Sequence, residues 1–253
     1  MSVRGVSLLI GAALIAACSD SSGPGTEPTA SLSFSTRTPP PVTASAGPQF
    51  SIVAADTLSD STNTLVISKV ELVLREIELE RVEVVDCDVD PEPEGCEEFE
   101  IGPILVDLPL NGATEQELAI AIPPGTYDEL EFEIHKVSSG DPEDAAFRQA
   151  HPDFVDISIR VQGTFNGQAF TYETDLDVEQ EFELNPPLVI DSTTVTTNVT
   201  VRVGLDGWFR DATGTLVDPA SANKGGPNES LVKENIKQSF EAFAAEDQAG
   251  AER

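Results

Sequence analysis

The chain is poor in the residues that usually carry chemistry. Three cysteines, two histidines, one tryptophan, two tyrosines and one methionine are spread over 253 residues. No H-E-x-x-H, G-x-S-x-G, P-loop or dinucleotide fingerprint occurs, which excludes the enzyme classes built on those motifs. The absence of C-x-x-C excludes a thioredoxin-type redox centre. Basic residues are scarce as well: 14 Lys and Arg stand against 45 Asp and Glu, a formal net charge of −31. Nucleic acid and anionic lipid surfaces are therefore excluded as electrostatic partners. The one extended apolar stretch, Val6 to Ala17, is too short to span a bilayer.

What that stretch does resemble is a secretory signal. Arg4 precedes it, and small residues lead to a cysteine in Ile15-Ala16-Ala17-Cys18. This pattern resembles the lipobox of bacterial lipoproteins. The resemblance implies cleavage after residue 17, acylation of Cys18 and a membrane attachment through acyl chains. Ser19 rather than Asp follows the cysteine, so the sorting pattern implies the outer membrane. Without residues 1–17 the chain would carry 13 basic and 45 acidic residues, net −32.

Residues 18–48 are dominated by Ser, Thr, Pro, Gly and Ala, the composition of a flexible tether, with apolar alternation only at Leu32 and Phe34, where "SLSFS" is the one segment that could add an edge strand. Residues 49–226 are long enough for one core and read predominantly with a period of two. In "YDELEFEIHKV", Leu130, Phe132 and Ile134 point one way, while Glu129, Glu131, Glu133 and His135 point to a wet face. "FVDISIRVQGTF" and "QAFTYETDLDV" flank Asn166-Gly167, the preferred pair for a tight hairpin. "TLVISKVELVLREIELERVEVV" reads as one long strand whose phase slips near Glu76, although Val70, Val73, Leu74 and Ile77 also fit helical spacing. Many short strands predict a mainly β protein, an antiparallel β-sandwich. Residues 227–253 predict one amphipathic helix with a tail: Asn228 is the candidate N-cap, and Val232, Ile236, Phe240 and Phe243 share a face.

Three short motifs, Val70-Glu71-Leu72, Val106-Asp107-Leu108 and Pro123 to Tyr127, are similar to those of a group of bacterial lipoprotein domains of unknown function. The resemblance covers roughly residues 50–137. It implies a prealbumin-like or immunoglobulin-like sandwich and brings no catalytic residue with it.

The densest charge lies in "VVDCDVDPEPEGCEEFE", residues 84–100, with eight carboxylates and no basic side chain. Counted from Asp86, acids fall at positions 1, 3, 5, 7, 9 and 12 of a calcium-loop frame: Asp86, Asp88, Asp90, Glu92, Glu94 and Glu97. Pro91 occupies the position where that loop turns on glycine, and its ring fixes φ near −65°, so an EF-hand is not expected. Cys87 and Cys96 are the two thiols left after Cys18 in an oxidising envelope. Two readings stay open for the segment: a disulfide-clamped loop of solvated acids, and a calcium site of another geometry. A second candidate is "GLDGWFRDATGTLVDP". Asp206 and Asp211 beside Trp208 suit a sugar or a cation if the ring is exposed, and Trp208 is a core residue if it is not. His135 and His151 share no motif.

These features predict a non-catalytic envelope lipoprotein presenting an acidic sandwich in a binding or structural role, with protein or glycan as the class of ligand. The alternatives are a calcium-dependent carbohydrate-binding or adhesion module and, third, an envelope hydrolase. Apart from calcium, no cofactor is implied.

Overall fold

The computed structural model describes residues 29–36, 56–82, 99–110, 114–122, 124–142, 144–191 and 196–244. The chain forms β1 (Thr29–Thr36), β2 (Asp56–Ser59), β3 (Thr64–Arg81), β4 (Phe99–Ile101), β5 (Ile104–Asp107), β6 (Thr114–Ala121) and β7 (Gly125–Ile134). After these come α1 (Ala145–Ala150), β8 (Ile159–Phe165), β9 (Gln168–Thr174), β10 (Val178–Ile190), β11 (Thr196–Val203), α2 (Glu229–Lys237) and β12 (Phe240–Ala244). The strands make two sheets, as the period-two alternation predicts. The smaller has the order β12-β11-β1-β6, and the larger is built around β3. Leu32, Phe34, Val199, Val201 and Val203 from the first pack with Val70, Leu72, Phe132, Ile159 and Tyr172 from the second in one core, a β-sandwich.

β3 organises the larger sheet because it is long enough to carry two partners end to end on one edge. Leu72 pairs with both Val106 of β5 and Ile159 of β8, and Leu74 with both Ile104 of β5 and Ile134 of β7. Since β5 occupies one edge, β8 and β7 must share the other. The described residues between β7 and β8, 135–142 and 144–158, fold over the outer face. There Phe147 and Phe154 bury against Val73 and Val137, and the Arg160 guanidinium lies 4.3 Å from the Phe154 ring centre.

The phase slip predicted near Glu76 is present as a register shift between Leu74 and Ile77. Arg75 and Glu76 are both half-buried, so Val70, Leu72 and Leu74 before the slip, and Ile77 and Leu79 after it, all reach the core. Gly102 accommodates this bulge. Its φ is 156°, and a Cβ there would lie 1.4 Å from the Arg75 carbonyl oxygen. The hairpin between β8 and β9 turns at Asn166 and Gly167 with φ of 52° and 79°, both positive as a two-residue turn of this type needs.

Two expectations are corrected. Residues 29–36, placed in the tether by composition with at most an edge strand at residues 31–35, form an interior strand, parallel to β11 and antiparallel to β6. Leu32 and Phe34 enter the core, while the alternate Ser31 and Ser33 hydroxyls donate to Asn198 Oδ1. The polar face is thus hydrogen-bonded, so a Ser/Thr-rich strand is tolerated inside a sheet. The C-terminal helix is shorter than its apolar face suggested. Val232 and Ile236 are buried on α2, but Phe240 begins β12, where period-two pairing with Val203 of β11 replaces helical packing. Asn228 occupies the N-cap position, yet its side chain donates to Ser221 Oγ instead of capping. The helix is held by Lys233, which pairs with Asp175 at 2.8 Å and Glu229 at 2.9 Å.

Candidate functional site

The acidic loop residues Asp86, Asp88, Asp90, Glu92, Glu94 and Glu97, the thiols of Cys87 and Cys96, and Cys18 lie outside the described residues. The second candidate is taken apart by burial. Trp208 is fully buried, its indole N–H donates to Ser239 Oγ at 2.8 Å, and its neighbour Phe209 stacks edge-on against Tyr172. The ring is a core residue and offers no face to a sugar. Asp211 is occupied by its own loop, accepting from the Thr213 and Thr215 backbone N–H groups and the Thr213 hydroxyl, which hold its carboxyl below the usual range. Asp206 lines a polar cleft with Arg202, Asn235, Gln238 and Glu241. The Asn235 amide there is committed to the carbonyls of Gly207, Trp208 and Arg210.

The concentrated charge of the described domain is on the outer face of the larger sheet, beyond the part covered by α1. Strands β3, β7 and β10 run side by side there, and each presents glutamates at every second position. Glu181 pairs with Glu131, and Glu131 with Glu78; Glu183 pairs with Glu129, and Glu129 with Glu80. Glu179 faces Glu133 in a third row. By backbone register the central row extends to Glu100 of β4, opposite Glu78. Their alternates Leu79, Leu130 and Phe132 are in the core, which forces the carboxylates outward. The phase slip in β3 is what brings Glu76, Glu78 and Glu80 onto this face.

Adjacent strands are about 4.8 Å apart and alternate residues along one strand about 6.8 Å. Neighbouring carboxylates therefore sit well inside the Debye length of about 8 Å at physiological salt, where screening is weak. The consequences appear in the acidities. Glu131 is pushed up to about 7, first by partial burial, then by a hydrogen bond from the diagonal pair with Glu179 and by the charges of Glu179, Glu78 and Glu181. Glu129 is raised by burial and by Glu80 and Glu181, and Glu133 by burial opposed by His135. Elsewhere the acids are relieved: Asp175 is held far below the usual range by Lys224 and Lys233, and Asp60 by three backbone N–H groups.

Oxygens of Glu80, Glu129 and Glu131, and likewise of Glu131, Glu179 and Glu181, lie within 4.8 Å of one another. Twice a calcium–oxygen bond of about 2.4 Å is about 4.8 Å, so either triplet can bridge one calcium ion while water fills the remaining positions. The wet face of β7 is legible from alternation alone. That of β10 is signalled by Glu179, Glu181 and Glu183 between Val178, Gln180 and Phe182, but nothing local tells that the two faces adjoin. Among the described residues no helix is long and apolar enough to cross a membrane. Comparison with protein-family models, with curated proteins and with solved structures gives no match.

Proposed function

We propose that the protein is a non-catalytic lipoprotein of the bacterial outer membrane, held through Cys18, whose glutamate face is its contact surface for cations. The observation that carries the reading is the placement of like charges directly opposite one another on three adjacent strands. Such pairs destabilise a sheet. Alternating signs there would stabilise the sheet, whereas a uniform acidic face is suited to contact with positive charge. The anchor rests on the lipobox-like residues 15–18, and the acidic surface fits a partner that brings positive charge.

A second reading, a calcium-dependent adhesion module, is favoured by the two oxygen triplets of the face. In it, calcium held between carboxylates would join this domain to another anionic envelope surface. The experiment has two arms. Labelling with a radioactive fatty acid should mark the wild-type chain and not Cys18→Ser; label persisting on the variant contradicts the anchor. Calcium titrated into the Cys18→Ser protein should bind saturably, and Glu129→Gln with Glu131→Gln should weaken it. Equal binding by both proteins contradicts the contact surface.

A further inference from the structure

We propose that Glu133, His135 and Asp177 form a site for one divalent transition-metal ion, zinc foremost, where β7 leaves the sheet. The register assembles it. Val178 pairs with Ile134, so the next residue outward on each side brings Asp177 opposite His135, while Glu133 precedes His135 by two on the same face. His135 Nδ1 lies 3.4 Å from Glu133 Oε1 and 3.2 Å from Asp177 Oδ1, and the three ligand atoms all fall within 4.8 Å of one another.

These spacings match an ion between the atoms. Donors bound at about 2.0–2.1 Å in a tetrahedral zinc site are separated by about 3.3 Å. Both distances are also within ion-pair range, but neither contact has hydrogen-bond geometry: Nδ1 is shut off from solvent and makes no hydrogen bond to either carboxylate oxygen. A buried nitrogen between two carboxylates without a hydrogen bond is satisfied either by a proton, as an ion pair, or by a metal, and the experiment below separates the two. The donor chemistry selects the ion. One imidazole nitrogen with two carboxylates suits zinc and its neighbours in the transition series, whereas calcium and magnesium take oxygen alone. Three protein donors leave a fourth position, and Asp177, with its side chain 67% exposed, leaves the site open on that side. The surrounding charge is mixed: Glu76 and Asp177 push the Glu133 pKa up, while His135 and Arg75, itself 3.7 Å from Glu76, pull it down. The site depends neither on the membrane anchor nor on calcium at the glutamate rows.

The test uses the tag-free full-length chain and zinc chloride. Calorimetry should give one saturable zinc site, and the His135 ring-nitrogen resonances should shift on binding while those of His151 stay in place. His135→Ala and, independently, the milder Asp177→Asn should each lower zinc affinity at least tenfold. Cys87→Ser with Cys96→Ser should leave it unchanged, and calcium at the same concentration should not displace the zinc. The proposal is overturned if no saturable site appears, or if zinc binds without moving the His135 resonances. It is equally overturned if the affinity is lost with the cysteines and kept in both His135→Ala and Asp177→Asn; the triad is then an ion pair of a protonated imidazole with two carboxylates.

Discussion

Glu131 of β7 stands directly opposite Glu181 of β10, a carboxylate facing a carboxylate where cross-strand pairing favours opposite signs. Because the folded state raises the Glu131 pKa to about 7 from an ordinary value of 4.5, it binds more protons than the unfolded chain between those limits. The stabilisation from this group is complete below about pH 4.5 and lost as pH rises through 7. Glu129 and Glu133 shift in the same direction. Lowering the pH from 8 to 5 should therefore raise the melting temperature, as differential scanning calorimetry would record. A melting temperature that falls steadily over this range contradicts the assignment.

Below that window the sign reverses. Asp175 is depressed by Lys224 at 2.7 Å and Lys233 at 2.8 Å, so its contribution is present above about pH 4 and lost on further acidification. Asp175→Ala removes the clamp between the end of β9 and α2 and leaves Lys233 with Glu229 alone. The cost should be about 1–3 kcal/mol at pH 7, seen as a lower urea midpoint, and much smaller at pH 3. An unchanged midpoint at pH 7 would show that the pair is merely superficial.

Gly102→Ala tests the bulge that turns β3 over. With 1.4 Å between the new Cβ and the Arg75 carbonyl oxygen, backbone has to move, and overpacking of this kind costs about 1–3 kcal/mol or more. The variant should melt several degrees lower. Wild-type stability would mean that the phase slip is not pinned at this position.

Trp208, the single tryptophan, gives a direct optical check of the second candidate site. Fully buried and bonded to Ser239, which lines the same cleft as Asp206, it should emit at short wavelength and resist acrylamide quenching, and glycans should leave its emission unchanged. An exposed, quenchable indole would restore it as a sugar platform.

These residues also show what a sequence can express. The Asn166-Gly167 hairpin and the slip near Glu76 were legible because each depends on neighbours within a few positions. β1 was not, since its serines satisfy their polarity only by meeting Asn198, more than 160 residues away. Phe240 fitted a helical face because its partner, Val203, belongs to a remote strand. The glutamate face was half visible: alternation marked the outward acids of β7, but their adjacency to those of β10 and β3 is a property of register, and so is the meeting of His135 with Asp177.

The most direct measurement compares thermal unfolding of the wild type with Glu131→Gln/Glu181→Gln at pH 8, with and without calcium. Neutralising two facing carboxylates should raise the melting temperature in the absence of calcium. Calcium should raise that of the wild type in a saturable way, beyond sodium at matched ionic strength, and should do so much less at pH 6, where protons compete for Glu131. The variant should lose most of this response. A variant no more stable than the wild type, with an undiminished calcium response, would contradict the claim that this face is an acidic contact surface kept at the expense of stability.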